Sequence, residues 1–478
     1  MRTLPDKLQL PYDKKDAVSI YDYSKGLLHH CLRPFVWEGY VPKQGKGALG
    51  QMVENIYFFL ETNSNPASDF SEAGLELKCT PLKHGTKEKY LIKERLVCNM
   101  IDYFELAKED FEHSHFFLKC RLLLILFYLH QTDCDKLDLE FIYSVLWQLP
   151  EKDLLIIRHD YEVIRSKVLH GDAHLLSEGD TEYLGACRKG QKADPPTSQP
   201  FSDMPAPKRA FSLKPSYMRT ILQYIQVRNT DAVSNYTYEV TDHQLVNSEQ
   251  LLSQSFEEII LGKLNAHKGK NYRDLCEQLG RSYDTDKGKY AHIASKLIDP
   301  SIGNVNLSEE FKKAGLQLKT IRIEDDGSIK ESMSFENIDY QEVFDNDTWT
   351  DSRLYEIFSG RFLFVIFKPD GGEITYINRR GDKVHERTYG LDRAFFWTMP
   401  QEDLLVAEEY WENIRQCVVR NHIAPKYFFK ISDHKHFHVR PKARLASDLA
   451  VNPNGGYARK YCYWFNNEYI QKIERENR

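Results

Sequence analysis

The sequence predicts an α/β protein of two tandem domains, each a small mixed sheet flanked by helices. Three observations lead there. The stretch Ala73–Thr80 (AGLELKCT) returns at Ala314–Thr320 as AGLQLKT. Further blocks recur in the same order. Lys46-Gly47 returns as Lys287-Gly288, and Lys93-Glu94 with Ile101-Asp102-Tyr103 returns as Lys330-Glu331 with Ile338-Asp339-Tyr340. The apolar run 121–127 returns as 361–367, and Trp147, Pro150 and Asp153 return as Trp397, Pro400 and Asp403. Each half also mixes helical periodicity with short apolar runs of strand character. So long a period exceeds any solenoid unit and reads as duplication of a whole domain.

Taken in order, Met52–Leu60 has a helical pattern, and Leu75–Thr80 alternates apolar and charged residues like a strand. Leu122–Leu129 is a continuous apolar run, long enough for a buried strand and too short to cross a bilayer. Asp153–Val168 has helical spacing. Gly190–Lys208 holds five prolines and few apolar residues, which indicates a surface loop. Asp231–Ser255 is polar and aperiodic, and a helical pattern (SFEEIILGKLNAH) follows it. The expected division is therefore a first domain at 1–230, a linker at 231–255 and a second domain at 256–478. A chain of 478 residues suits two cores better than one. The N-terminus lacks the apolar segment of a secretory signal. Nine cysteines without a C-x-x-C pair argue against a disulfide framework, so a reducing cytoplasm is expected.

A net charge of −6 argues against a wholly basic nucleic-acid coat, but the charge is unevenly spread. Arg420–Arg444 holds seven Lys/Arg against one acid, and Arg188–Arg219 holds seven against two. One such run alone reads as a solvated face. Equivalent runs late in both halves point to phosphate-facing surfaces.

The chemistry lies in the first copy. On a strand, Glu76 and Lys78 share one face while Leu75 and Leu77 enter the core. Asp69 precedes Glu76 by seven residues, and a hairpin-like turn would set the two carboxylates side by side. Close carboxylates call for a cation, and oxygen donors suit Mg²⁺. Lys78 would then hold, or help deprotonate, the attacking water. An ordinary amphipathic hairpin would carry the same letters; the second copy tells them apart. There Glu76 becomes Gln317, Glu54 becomes Ser295 and Lys119 faces Ser359, while Asp69 is matched to Glu310 and Lys78 to Lys319. Charge is lost at three positions while the scaffold survives. This singles out Glu54, Asp69, Glu76, Lys78 and Lys119 as a functional cluster.

Asp-x₆-Glu-x-Lys in the frame AGLELKCTP, followed by KERLV at Lys93–Val97, resembles the MutH family of DNA endonucleases. The two-copy layout is similar to that family's larger restriction enzymes. The resemblance implies the PD-(D/E)xK nuclease fold, with Glu54, Asp69, Glu76, Lys78 and Lys119 as catalytic residues. It implies Mg²⁺ held at Asp69, Glu76 and Leu77, and double-strand cleavage of DNA 5′ of the G in GATC. His436–Ala443 (HFHVRPKA) is similar to the family's base-reading loop, which makes Arg440, Pro441, Lys442 and Arg444 DNA contacts. Arginine suits guanine because its fork meets O6 and N7 together. In the first copy, Arg188 and Lys189 carry over with a shift of one position, and Lys192, Arg209 and Lys214 complete the expected phosphate contacts. The family's methylation-sensing tyrosine is replaced by Ser212. The expected protein is a type II restriction endonuclease whose second domain, catalytically inactive, binds a second DNA site. It would act as a monomer or DNA-induced dimer, without nucleotide cofactor or membrane. The alternatives are a strand-nicking repair endonuclease and a non-cutting DNA-binding protein.

Overall fold

The computed structural model describes residues 10–45, 47–61, 67–85, 89–190, 194–228, 232–234, 243–378, 381–433, 435–443, 445 and 447–478. The chain divides into two compact units, Met1–Thr241 and Asp242–Arg478.

The strands of the first unit are β1 (Glu76–His84), β2 (Tyr90–Ile92), β3 (Leu96–Met100), β4 (Leu122–Leu129), β5 (Phe141–Gln148), β6 (Leu184–Arg188), β7 (Thr197–Gln199), β8 (Ser202–Ala206), β9 (Arg209–Leu213) and β10 (Ala232–Ser234). A mixed sheet runs β10-β5-β4-β1-β2. Its middle strand β4 pairs parallel with β1 and antiparallel with β5, which is why LLLILFYL is apolar almost throughout. Leu75, Leu77, Leu124, Leu126 and Leu146 share one core beneath it. A second, antiparallel sheet runs β3-β9-β6. The helix Glu151–Leu169 fastens the two regions together. Its buried Asp153 accepts from Tyr217 Oη at 2.8 Å. Its buried Asp160 accepts from the N–H groups of Glu182, Tyr183 and Leu184 at 2.7, 2.7 and 2.9 Å, at the entry to β6.

The second unit contains β11 (Gln317–Arg322), β12 (Met333–Asn337), β13 (Arg361–Ile377), β14 (Lys383–Thr398), β15 (Phe437–Pro441), β16 (Leu449–Val451), β17 (Tyr457–Arg459) and β18 (Tyr461–Phe465). Its topology follows the first. β11 pairs parallel with β13, β13 antiparallel with β14, and a separate antiparallel sheet runs β12-β18-β15. Glu76 pairs with Leu123 in one unit and Gln317 with Phe362 in the other. The helix Gln401–Val419, like Glu151–Leu169, starts after a proline and buries an aspartate, Asp403, that accepts from Tyr469 Oη at 2.9 Å.

Three expectations change. Residues 243–255 are not linker. Leu245 and Val246 are buried, their N–H groups bond the Glu310 carboxylate, and a short helix Ser248–Leu251 follows. The proline-rich stretch 190–208 is not plain loop but carries the β7–β8 ribbon. Met52–Leu60 is not one α-helix: Ala48–Met52 is α-helical and Val53–Tyr57 is a π-turn.

Candidate active site

The site begins at a turn. Gly74 takes φ +62°, a left-handed conformation that costs glycine nothing. Phe70 and Leu75 exchange backbone hydrogen bonds at 3.0 and 3.2 Å, closing the turn. Asp69 thereby lies against the start of β1. Leu77 N donates to Asp69 Oδ2 at 3.0 Å, and Asp69 N donates to Glu76 Oε2 at 3.3 Å. The hairpin expected from Asp-x₆-Glu is formed by this reciprocal pair.

Glu76 is 2% exposed and needs counter-charge. Lys78, two residues along the same strand face, donates to Glu76 Oε1 at 2.7 Å and to the Cys98 carbonyl on β3 at 2.9 Å. Lys119, in the last turn of the helix His115–Cys120 that leads into β4, lies 3.3 Å from the same Oε1. Glu54 sits on the π-turn. Such turns recur at functional sites because the extra residue redirects one side chain.

The electrostatics tie the five groups together. Burial pushes the Glu54 carboxyl up to about 7, Asp69 and Glu76 push in the same direction, and Lys78 and Lys119 oppose them. Burial also raises Glu76, with Lys78 acting against it. For Lys78, burial works to lower the pKa, but Glu76 together with Cys120 and Cys98 outweighs it and the net shift is upward. Lys78 is thus a committed cation, suited to donating hydrogen bonds rather than accepting a proton.

Three acids facing two lysines leave an excess of negative charge on hard oxygen donors, the setting in which a divalent ion such as Mg²⁺ binds. No group of three or more His, Cys, Asp or Glu able to hold an ion is present among the described residues. The groups that would hold such an ion are the Asp69 and Glu76 carboxylates, joined by the Leu77 backbone.

The equivalent place in the second unit is built from the same elements with different charges. Gln317 and Lys319 take the strand positions, and Lys319 donates to the Ser334 carbonyl at 3.1 Å. Leu318 N donates to Asn306 Oδ1 at 2.7 Å, the bond that Leu77 N makes with Asp69. Asn306, not Glu310, therefore occupies the Asp69 position. Glu310 is fully buried and clamps the backbone at Leu245 and Val246. Ser295, opposite Glu54, accepts from Val305 N at 3.2 Å, and Ser359, opposite Lys119, closes the helix Arg353–Phe358. Sequence matching missed Asn306 because the segment before β11 is longer than its counterpart: 12 residues separate Asn306 from Leu318, against 8 between Asp69 and Leu77.

The expected DNA contacts divide. Arg188 is exposed at the end of β6, and the neighbouring Lys189 is half-buried with its N–H on the Lys208 carbonyl. Arg209 and Lys214 are not surface groups. Arg209 is 7% exposed and donates to the Ala186 carbonyl at 2.6 Å and to that of Leu176. Lys214 is 8% exposed and donates to the Thr181 carbonyl. Both hold buried backbone together. Lys192 and Arg444 lie outside the described residues. In the second unit Arg440 leaves the end of β15 with its guanidinium over the Trp464 ring, 5.5 Å from the centroid. Pro441 and Lys442 follow, both exposed. His436 and His438 bond Asp403 and Asn466 through one ring nitrogen each.

A mixed sheet with Asp, Glu and Lys gathered at the start of one strand fits the fold and site expected of a nuclease. Residues 58–160, which include Asp69, Glu76, Lys78 and Lys119, match the family model described as DNA mismatch repair enzyme MutH. The type II restriction enzyme Sau3AI of Staphylococcus aureus is 29% identical over 479 residues, covering 90% of this chain and 92% of that protein. These two similarities point to the MutH-like type II restriction enzymes, and the class they indicate is that of the site-specific deoxyribonucleases.

Proposed function

We propose that the first unit makes Mg²⁺-dependent double-strand breaks in duplex DNA, 5′ of the G in GATC. We propose further that the second unit, an inactive copy of the first, binds another site and acts as an effector. The observation that carries this reading is the cluster at Glu76, present with its two lysines in one unit and reduced to amides and hydroxyls in the other. Bound by Asp69, Glu76 and the Leu77 backbone, Mg²⁺ would supply Lewis acidity against the charge that grows on the scissile phosphate. Lys78 donates hydrogen bonds to the phosphate or the attacking water, and its tie to the Cys98 carbonyl keeps the ammonium aimed into the site. Lys119 offsets the charge of Glu76 from the other side. Arg188 and Lys189 in the first unit, with Arg440, Pro441 and Lys442 in the second, are the DNA contacts that fit this reading. A cytoplasmic location fits work on DNA.

The test is digestion of one-site and two-site plasmids in Mg²⁺, with the fragment ends sequenced. Ends 5′ of GATC and faster cutting of the two-site plasmid are expected. Ends elsewhere remove the GATC assignment, equal rates remove the effector role, and accumulation of nicked circles favours strand nicking instead. Glu76→Ala should abolish cutting and spare binding; a Glu76→Ala protein that still cuts removes the active-site assignment.

A further inference from the structure

The second unit's counterpart of the active site carries the opposite charge balance. Where the first unit gathers three carboxylates, Asn306, Gln317 and Ser295 present only neutral groups. The lysine nonetheless remains, and a second one joins it. Lys319 Nζ donates to the Ser334 carbonyl at 3.1 Å and lies 4.5 Å from the centroid of the Phe335 ring. Lys442 Nζ reaches the same two residues from the end of β15, donating to Ser334 Oγ at 2.8 Å and to the Phe335 carbonyl at 3.3 Å. Neither ammonium has an ion-pair partner among the described residues. The acid that acts on Lys319 from a distance, Glu336, is engaged by Arg353 at 2.5 and 3.1 Å.

Convergence of two like charges away from any carboxylate is costly in a folded protein. Burial, and then Lys442, push Lys319 down to about 8, so at neutral pH the fold still holds the charge it disfavours. A site that had simply decayed would be free to lose that charge. Retention of both lysines beside two side-chain amides, each able to donate through its NH₂, describes a receptor for a small, hydrogen-bond-accepting anion. Arg440, near the end of β15 and two residues before Lys442, places this pair next to the expected base-reading side chain.

We propose that Asn306, Gln317, Lys319 and Lys442 form a phosphate-binding site that takes one backbone phosphodiester of duplex DNA. It lies at the position in the second unit that cuts in the first. The proposal rests on the reading that the second unit binds DNA, and it adds the reason such binding needs no metal: two ammonium groups replace it. The same exchange explains why the bound strand is not cut.

The experiment uses the full-length Glu76→Ala chain and a short duplex with one GATC, in buffer with EDTA, with stoichiometry, affinity and salt dependence measured. Two duplexes per chain are expected, and Arg440→Ala should remove or weaken one. Lys319→Gln should weaken that same duplex about tenfold and reduce the slope of log affinity against log salt by about one, the signature of one lost phosphate contact. Gln317→Glu restores the pairing that the first unit tolerates, so the fold survives. The new carboxylate neutralises Lys319 and repels phosphate, and the same duplex should be weakened. If Arg440→Ala weakens one duplex while Lys319→Gln and Gln317→Glu leave its affinity and slope unchanged, the phosphate site is overturned and DNA binding by the second unit stands. If the chain binds one duplex and Arg440→Ala changes nothing, DNA binding by the second unit fails and the site with it.

Discussion

Glu76 shows how one side chain organises a site. It is buried, two lysines share its Oε1, and its other oxygen receives the Asp69 N–H. Glu76→Gln puts into the first unit the residue that the second has at 317. Cutting should fall at least about 100-fold, the scale for loss of one preorganised electrostatic group, with DNA affinity in EDTA held within a few-fold. Rates measured on plasmid alongside binding would check it. Lys119→Ala should lower cutting by a similar factor, because Glu76 then keeps only one counter-charge. A second residue-scale prediction concerns His438, buried against Asn466. Burial pushes it down to about 4, Asn466 opposes that shift and Arg440 reinforces it. A base depressed by folding takes up fewer protons in the folded state. Its contribution is complete above the unfolded value near 6.5 and is lost as pH falls towards 4, a swing of about 3 kcal/mol. Urea unfolding at pH 7 and pH 4.5 should show this loss, and His438→Gln should shrink it; an identical loss in the variant would contradict the assignment.

Among the elements, turns matter more than helices. Gly74 holds Asp69 against Glu76 only because it accepts φ +62°, and Gly315 repeats this in the second unit at φ +66°. An added Cβ at Gly74 would also lie 3.2 Å from the Arg121 guanidinium. Gly74→Ala should cost about 1–2 kcal/mol of stability through left-handed strain, and it should reduce cutting by displacing Asp69. Thermal unfolding and plasmid digestion of the variant measure both. Strand β1 and helix Glu151–Leu169 were readable because alternation and helical spacing persist long enough to register. The π-turn at Val53–Tyr57 was not, since one extra residue leaves the apolar pattern of a five-residue stretch unchanged. The β7–β8 ribbon was hidden by its prolines. A two-stranded ribbon has only edges, and there a proline such as Pro205 costs no ladder hydrogen bond.

At the scale of the molecule, two units share one topology and carry different charges at its equivalent places. The proposed effector role predicts that Arg440→Ala removes any advantage of two-site over one-site DNA and leaves the one-site rate close to that of the parent. A variant that keeps its two-site advantage would show that the reading loop at Arg440 is not the effector contact.

By itself the sequence pointed to the repeated blocks, the family resemblance and the five residues proposed as catalytic. Each is written in residue identity and spacing, which survive without coordinates. The tertiary structure decided what each charge faces. It turned Arg209 and Lys214 inward onto carbonyls, set Asn306 rather than Glu310 in the place of Asp69, and brought Lys442 to Lys319 across 123 residues of sequence. Partners so distant along the chain are chosen by packing, and no local pattern records them.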